Sequence, residues 1–312
     1  MQSSNLTIVM YHYVRPIKDS KYPNIKGREL HEFKFQLDWL CANYDIVSME
    51  DCNSFIFEKS IPPARPLLLT FDDGYSDHYN FVYPELKKRG LQGSFFIPAK
   101  PILEPYIMDV NKIHFILEKS EIFDELEYVI ENYVKLNSDH HDIKPISWYR
   151  STYRKAAGYD NSQVIYIKRM LQHALPADLR SVVIDDLFKK IVSSEIEKFN
   201  AELYLKIDQI NEMLEGGMHI GGHGYNHHWL SLISPESRKE EIERSSSFIK
   251  SFSKPNVMSF CYPYGDFCEN TIEHLANQGY HLAFTTKPEI ADLKKENNLT
   301  MSRLDTNEFP VA

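Results

Sequence analysis

Short apolar runs alternate with longer amphipathic stretches along this chain, and the alternation sets its expected architecture. The run Pro66-Leu67-Leu68-Leu69 leads into Thr70-Phe71-Asp72-Asp73-Gly74, a pattern short enough for a buried strand and closed by a glycine turn. Runs at 6–10, 92–97, 218–220, 258–262 and 281–285 predict further strands. Helical patterns lie between them at 30–44, at 79–89 with Gly90 as the stop, at 234–252 with Ser234 as N-cap and Pro235 as first residue, and at 270–278. Repeated strand-helix units with right-handed crossovers build a parallel sheet covered by helices, an α/β fold.

From about residue 101 to 200 the strand signals fade and helical patterns with charged faces take over, as in Ile113-His114-Phe115-Ile116-Leu117, Leu126-Glu127-Tyr128-Val129-Ile130, 162–174 and 178–199. Residues 103–204 therefore read as a mostly helical insertion, and 1–102 with 205–312 as the domain it interrupts. An insertion on the loop side of a parallel sheet suits a lid or substrate-selecting subdomain. Packing or dimerisation is the alternative. Tyr149, Arg150 and Tyr153 are its candidate ligand contacts.

At 312 residues and 43% hydrophobic, the chain can bury one enlarged domain. Its net charge of −9 argues against a nucleic-acid partner and gives no support for an anionic membrane surface. There is no basic amino-terminal segment followed by an apolar run, and no membrane-spanning apolar stretch, so a cytoplasmic location is expected. Cys41, Cys52, Cys261 and Cys268 lack Cys-x-x-Cys spacing, which fits reduced thiols better than a disulfide framework or a structural zinc cluster.

Two segments carry chemistry. Consecutive side chains on a strand diverge, so Asp72 and Asp73 are expected to serve different roles. His223 and His227, after the apolar 218–220 run and Gly221-Gly222, are four apart, which on a helical turn puts both rings on one side and lets them bind one ion. His228 points to another face. A carboxylate pair and two imidazoles are the ingredients of a hydrolytic divalent-metal site.

With these residues the chain resembles the polysaccharide deacetylases of the NodB-homology type, carbohydrate esterase family 4. Thr70 to Gly74 matches that family's T-F-D-D-G motif, and His223 to His227 its H-[ST]-x-x-H motif with Gly224 in place of the hydroxyl residue. Phe260-Cys261-Tyr262-Pro263-Tyr264-Gly265 resembles the Y-P-Y-G form of its R-x-P-Y-G groove motif. Lesser echoes are Met10-Tyr11-His12, Gly93 to Ile97 and Ala283 to Thr286.

The resemblance implies an irregular (β/α) barrel and a metal-dependent hydrolase that removes an N-acetyl, or N-formyl, group from an amino sugar or glycan precursor, free or nucleotide- or lipid-linked, in surface-polysaccharide biosynthesis. It assigns Asp73, His223 and His227 to the metal, with zinc the first choice and cobalt, nickel or iron fitting the same ligands. Asp72 becomes the general base, the Tyr264 backbone N–H the oxyanion donor, and Tyr262, Pro263 and Tyr264 the substrate groove. Two departures stand out: the arginine that braces the catalytic aspartate falls at Cys261, and the Leu-x-x-His motif has no counterpart. His12, at the end of the first strand, is the candidate general acid; Arg303 and Asp305 are candidates for binding substrate or orienting catalytic groups. An amidohydrolase acting on a non-sugar C–N bond and an inactive carbohydrate-binding protein are the alternative functions.

Overall fold

The strand Pro66–Asp72 has two faces with different destinations. Leu67, Leu69 and Phe71 join one buried cluster and Leu68 another, as the period of two along a strand requires. The first cluster lies between sheet and helices; the second, with Leu6, Ile8, Phe96, Cys261, Leu282, Phe284 and Met301, lies inside the curl of the sheet. The computed structural model describes residues 5–118, 122–139, 143–156, 161–252 and 256–311.

Two compact units result, one of 1–16, 27–105 and 200–312, the other of 17–26 and 106–199. In the first, six parallel strands follow one another in the order of the chain: β1 (Asn5–Tyr11), β2 (Pro66–Asp72), β3 (Ser94–Ile97), β4 (His219–Gly222), β5 (Ser259–Cys261) and β6 (Leu282–Phe284). The sheet then curls toward closure. Met301 bridges Phe284 of β6, and β7 (Leu304–Asp305), starting three residues further on, pairs with Val9 and Met10 of β1. The segment 301–305 thus spans the opening between the first and last strands of the (β/α) barrel, which places Arg303 inside the closure.

Helices α1 (Leu30–Asn43), α2 (Tyr83–Arg89), α3 (Ile207–Glu215), α4 (Pro235–Phe252) and α5 (Glu269–Asn277) belong to the same unit. The Ser234 hydroxyl accepts the Ser237 N–H at 3.1 Å, starting α4 where the sequence predicts. The Cβ that Gly221 lacks would stand 2.6 Å from the Phe96 ring, so a larger residue there would push β4 off β3.

The second unit is built from helices Asp109–Glu118, Phe123–Leu136, Ile146–Tyr153, Ser162–Arg169 and Ala177–Ile191, around Phe115, Ile116, Ile130, Tyr166, Leu171, Val183 and Phe188. The helix expected over 178–199 stops at Ile191 and a second begins at Ile196. Residues 17–26, read from sequence as part of the first domain, pack with this unit through Tyr22, edge-on to Phe115 at 4.7 Å. No helix among the described residues is long and apolar enough to cross a membrane.

Just past β2, His78 is fully buried; its Nε2–H donates to the His12 carbonyl at 3.0 Å, and Nδ1 has no partner among the described residues. Burial holds this imidazole down at about 4. In the unfolded chain it takes up a proton below about pH 6.5, so folding loses stability as pH falls from there toward 4, by up to about 3 kcal/mol. His78→Asn keeps a donor for the carbonyl without a titrating ring. Urea unfolding of this variant should lose correspondingly less stability over that pH range; a decline as steep as in the parent chain would contradict the assignment.

Candidate active site

The parallel strands end on one side of the barrel, and their carboxyl ends carry the chemistry. Asp72 is the last residue of β2 and shares its inward face with Leu68 and Thr70. Asp73 leaves the strand with φ of +77°, a left-handed conformation costly for a side chain-bearing residue. The consequence is two carboxylates with separate surroundings.

Asp73 faces the histidines. Its Oδ1 lies 3.3 Å from His223 Nε2 and 3.3 Å from His227 Nε2, while Oδ2 accepts the Tyr75 hydroxyl at 2.5 Å. All three side chains are buried. His223 Nδ1 donates to the Cys261 carbonyl at 2.7 Å, which directs Nε2 to Asp73. Burial would lower this imidazole, but Cys261, Asp73 and Asp72 outweigh it and hold it well above its ordinary value, so a cation entering the site would displace the Nε2 proton. Burial holds His227 below its ordinary value, which favours the neutral imidazole that binds metals. Burial would push the Asp73 carboxyl up, but the two imidazoles outweigh it and hold the group well below the usual carboxylate range.

These atoms fit a divalent cation. Asp73 Oδ1 is buried with no hydrogen-bond partner among the described residues, and the three candidate ligand atoms lie within 4.8 Å of one another. One carboxylate oxygen and two imidazole nitrogens form a donor set suited to zinc and its neighbours. Asp72, His223 and Cys261 make a second group within the same spacing. There, however, Arg303 Nη2 stands 2.8 Å from Cys261 Sγ and binds Asp72, so a metal ion would confront a guanidinium.

The helical turn expected for His223 and His227 is absent. Residues 223–228 form an irregular loop in which Gly224 has φ of +74° and His227 of +63°. These two left-handed residues, and not helical periodicity, bring the rings to a centroid separation of 4.8 Å. With Tyr264 at φ +59°, three of the four non-glycine residues of positive φ among those described lie at this site, which marks where the fold holds strain. His228 is half exposed and 3.6 Å from Glu241, away from the ligand group.

The arginine displaced from position 261 returns from elsewhere. Arg303, on the segment that closes the barrel, donates Nη1 to Asp72 Oδ1 at 2.9 Å and Nη2 to Oδ2 at 2.7 Å. It also binds the Thr285 carbonyl and the Thr70 hydroxyl, at 2.9 and 3.1 Å. Its side chain is fully buried, so it acts as a brace and does not reach substrate. Burial would raise Asp72, but the guanidinium overcomes this and holds the carboxyl at about 2. The Cys261 thiol, kept protonated by burial, donates to Asp72 Oδ2 at 3.3 Å.

Other sequence candidates are placed differently. Tyr262 does not line a groove: its ring is fully buried and its hydroxyl donates to the Leu299 carbonyl at 2.7 Å. Pro263 is buried too, packed toward Gly224. Asp305 caps a short turn by accepting the Asn307 N–H at 2.8 Å. The Tyr264 ring stands edge-on to His227 at 4.7 Å and stacks on Trp229 at 4.2 Å. His12 follows β1 and is near enough to Asp72, Asp73 and His227 to bias their protonation. In the helical unit, Arg150 is committed to Glu131 at 2.6 Å, Tyr149 is buried, and Tyr153 packs against His173, so none is arranged as the anticipated ligand contact.

Removing one partner of a buried ion pair strands the other charge. Arg303→Met should lower the unfolding free energy by about 3–5 kcal/mol in urea titration. A loss below about 1 kcal/mol, the range of an exposed pair, would contradict the brace.

Comparison with known proteins finds similarity in sequence and in fold. The profile of the polysaccharide deacetylase family matches residues 191–283, a span that includes the histidine loop and Cys261 to Gly265. YxkH of Bacillus subtilis (strain 168), a candidate polysaccharide deacetylase, is 28% identical over 130 residues, 40% of this chain and 44% of that protein. The matched region thus spans less than half of that relative's length. Among solved structures, the deacetylase PplD of Streptococcus pyogenes, in complex with acetate, aligns over 96% of this chain and 92% of its own with a TM-score of 0.59 at 18% identity. IcaB from Ammonifex degensii aligns over 98% and 93%, also with a TM-score of 0.59 at 18% identity. In sequence and in fold the chain is similar to the polysaccharide deacetylases of the NodB-homology type, and its Asp-His cluster sits on their (β/α) barrel.

Proposed function

We propose that the chain is a metal-dependent hydrolase that removes an N-acetyl, or N-formyl, group from an amino sugar or glycan precursor during surface-polysaccharide biosynthesis. The observation that carries this reading is the pair of adjacent carboxylates held apart: Asp73 among two imidazoles, Asp72 clamped by Arg303. Asp73, His223 and His227 would hold the ion. When bound, a divalent ion polarises an acyl oxygen and acidifies water, which is what a base of such low proton affinity as Asp72 requires.

The chain's own groups have distinct tasks. Asp72 accepts the proton of the attacking water, and Arg303 keeps it ionised and oriented. The Tyr264 backbone N–H stabilises charge developing on the acyl oxygen. His12 returns a proton to the amine nitrogen as it leaves. Acetate, the ligand of PplD, is the product such a reaction on an N-acetyl group would release. The absent motif arginine and histidine are what favour a binding protein without turnover; against it, Arg303 braces Asp72 although the motif arginine is missing, and His12 is assigned the missing histidine's proton.

Metal-stripped protein given zinc, cobalt or nickel should release acetate or formate from a panel of N-acylated amino sugars, free and nucleotide-linked. Asp72→Asn should lower the rate by about 10²–10⁴-fold while still binding the ion. Ammonia release from a non-sugar amide, or glycan binding without any product under all three metals, would overturn the proposal.

A further inference from the structure

The ligand loop carries its own brace, from a helix that no motif includes. Residues 223–227 have neither helix nor strand to fix them, and two of them adopt left-handed backbone. Such a loop keeps a demanding geometry only where surrounding groups over-determine it. Glu241, on α4, is 3% exposed and lies against the middle of the loop. Its Oε2 accepts the Tyr225 N–H at 3.0 Å and the Asn226 N–H at 2.9 Å; its Oε1 accepts the Asn226 N–H at 3.1 Å and the Asn226 side-chain amide.

A buried carboxylate is costly without compensation, and among the described ion pairs Glu241 has no lysine or arginine partner, only the half-exposed His228 ring at 3.6 Å. Its charge is therefore met chiefly by backbone N–H groups, in charge-assisted bonds stronger than neutral ones. One turn earlier on the same face of α4, buried Arg238 does the converse: Nε donates to the Leu230 carbonyl at 2.6 Å and Nη2 to the Ile233 carbonyl at 3.1 Å. An anion holds the N–H groups of Tyr225 and Asn226, and a cation holds the carbonyls of Leu230 and Ile233 beyond the loop. His227 lies between the two grips.

Gly224 fits the same arrangement. A Cβ at that position would meet Glu241 Oε2 at 3.2 Å, so the space beside the loop where a side chain would start is occupied by the carboxylate. We propose that Glu241 is a positioning residue for the metal loop, setting the separation of His223 and His227 by gripping the two peptide groups between them. This rests on the reading that Asp73, His223 and His227 bind one divalent ion.

The test compares zinc affinity, by competition with a chelator, in the parent chain, Glu241→Ala, Glu241→Gln and Ile242→Val. Ile242 is fully buried on the same helix and touches the core, so its variant controls for lost stability alone. Glu241→Ala should weaken zinc binding by about 10–100-fold, as loss of a group that orients a metal ligand does. Glu241→Gln, which keeps an acceptor oxygen, should fall between Ala and the parent, and Ile242→Val should bind as the parent does. Hydrogen exchange in the zinc-free protein gives a second readout: the Tyr225 and Asn226 amides should lose protection in Glu241→Ala while core strand amides keep theirs. Parent-like zinc affinity in a folded Glu241→Ala, or equal weakening in Ile242→Val, would overturn the proposal. No zinc bound by the parent chain would instead overturn the ligand reading on which it stands.

Discussion

A guanidinium buried against a carboxylate ties the barrel to its chemistry. Arg303 and Asp72 come from opposite ends of the fold's construction, one from the segment that closes the sheet and the other from a central strand, and both are inaccessible to water. Two charges in such a place are tolerable only because each is fully met: Asp72 by both guanidinium nitrogens and the Cys261 thiol, Arg303 also by a carbonyl and a hydroxyl. The pair therefore demands that β1, β2, β5, β6 and the closing segment all be in place. Closure of the barrel and the seating of Asp72 are the same event.

Around this pair the site divides labour by backbone conformation. The strand hands Asp72 to the interior, and a single left-handed residue turns Asp73 toward the imidazoles. The histidine loop uses the same device, and Tyr264, stacked on Trp229, uses it a third time. Strain collected in one place needs support from outside, which Glu241, Arg238 and Arg303 supply from elements that carry no ligand.

What the sequence reveals follows from the range over which each signal acts. Strands such as 66–72 and the helix begun by Ser234-Pro235 depend on period and capping, both local, and stand in the fold where the pattern puts them. The Asp-Asp and His-x-x-x-His segments stand out through residue type, and the fold brings Asp73 beside both imidazoles. Spacing alone misleads about conformation, however: four residues suggested a helical turn, whereas Gly224 and His227 achieve the same convergence by positive φ. Motif proximity misleads about direction, since Tyr262 neighbours Cys261 yet buries its ring toward the helices.

The long-range partners left the weakest traces. Arg303 was visible as a candidate, but only barrel closure brings it beside Asp72, more than two hundred residues earlier in the chain. Glu241 sits in the charged run Arg238 to Glu241, which reads as a solvated helix face until the loop is packed against it. In the proposed site, Asp73, His223 and His227, and not the neighbouring group containing Cys261, hold one divalent ion. Cobalt titrated into metal-stripped protein and followed by absorption tests this most directly. One cobalt per chain is expected, with ligand-field bands of nitrogen and oxygen donors and no near-ultraviolet thiolate-to-cobalt charge transfer; a thiolate band, or no stoichiometric uptake, would contradict this ligand set.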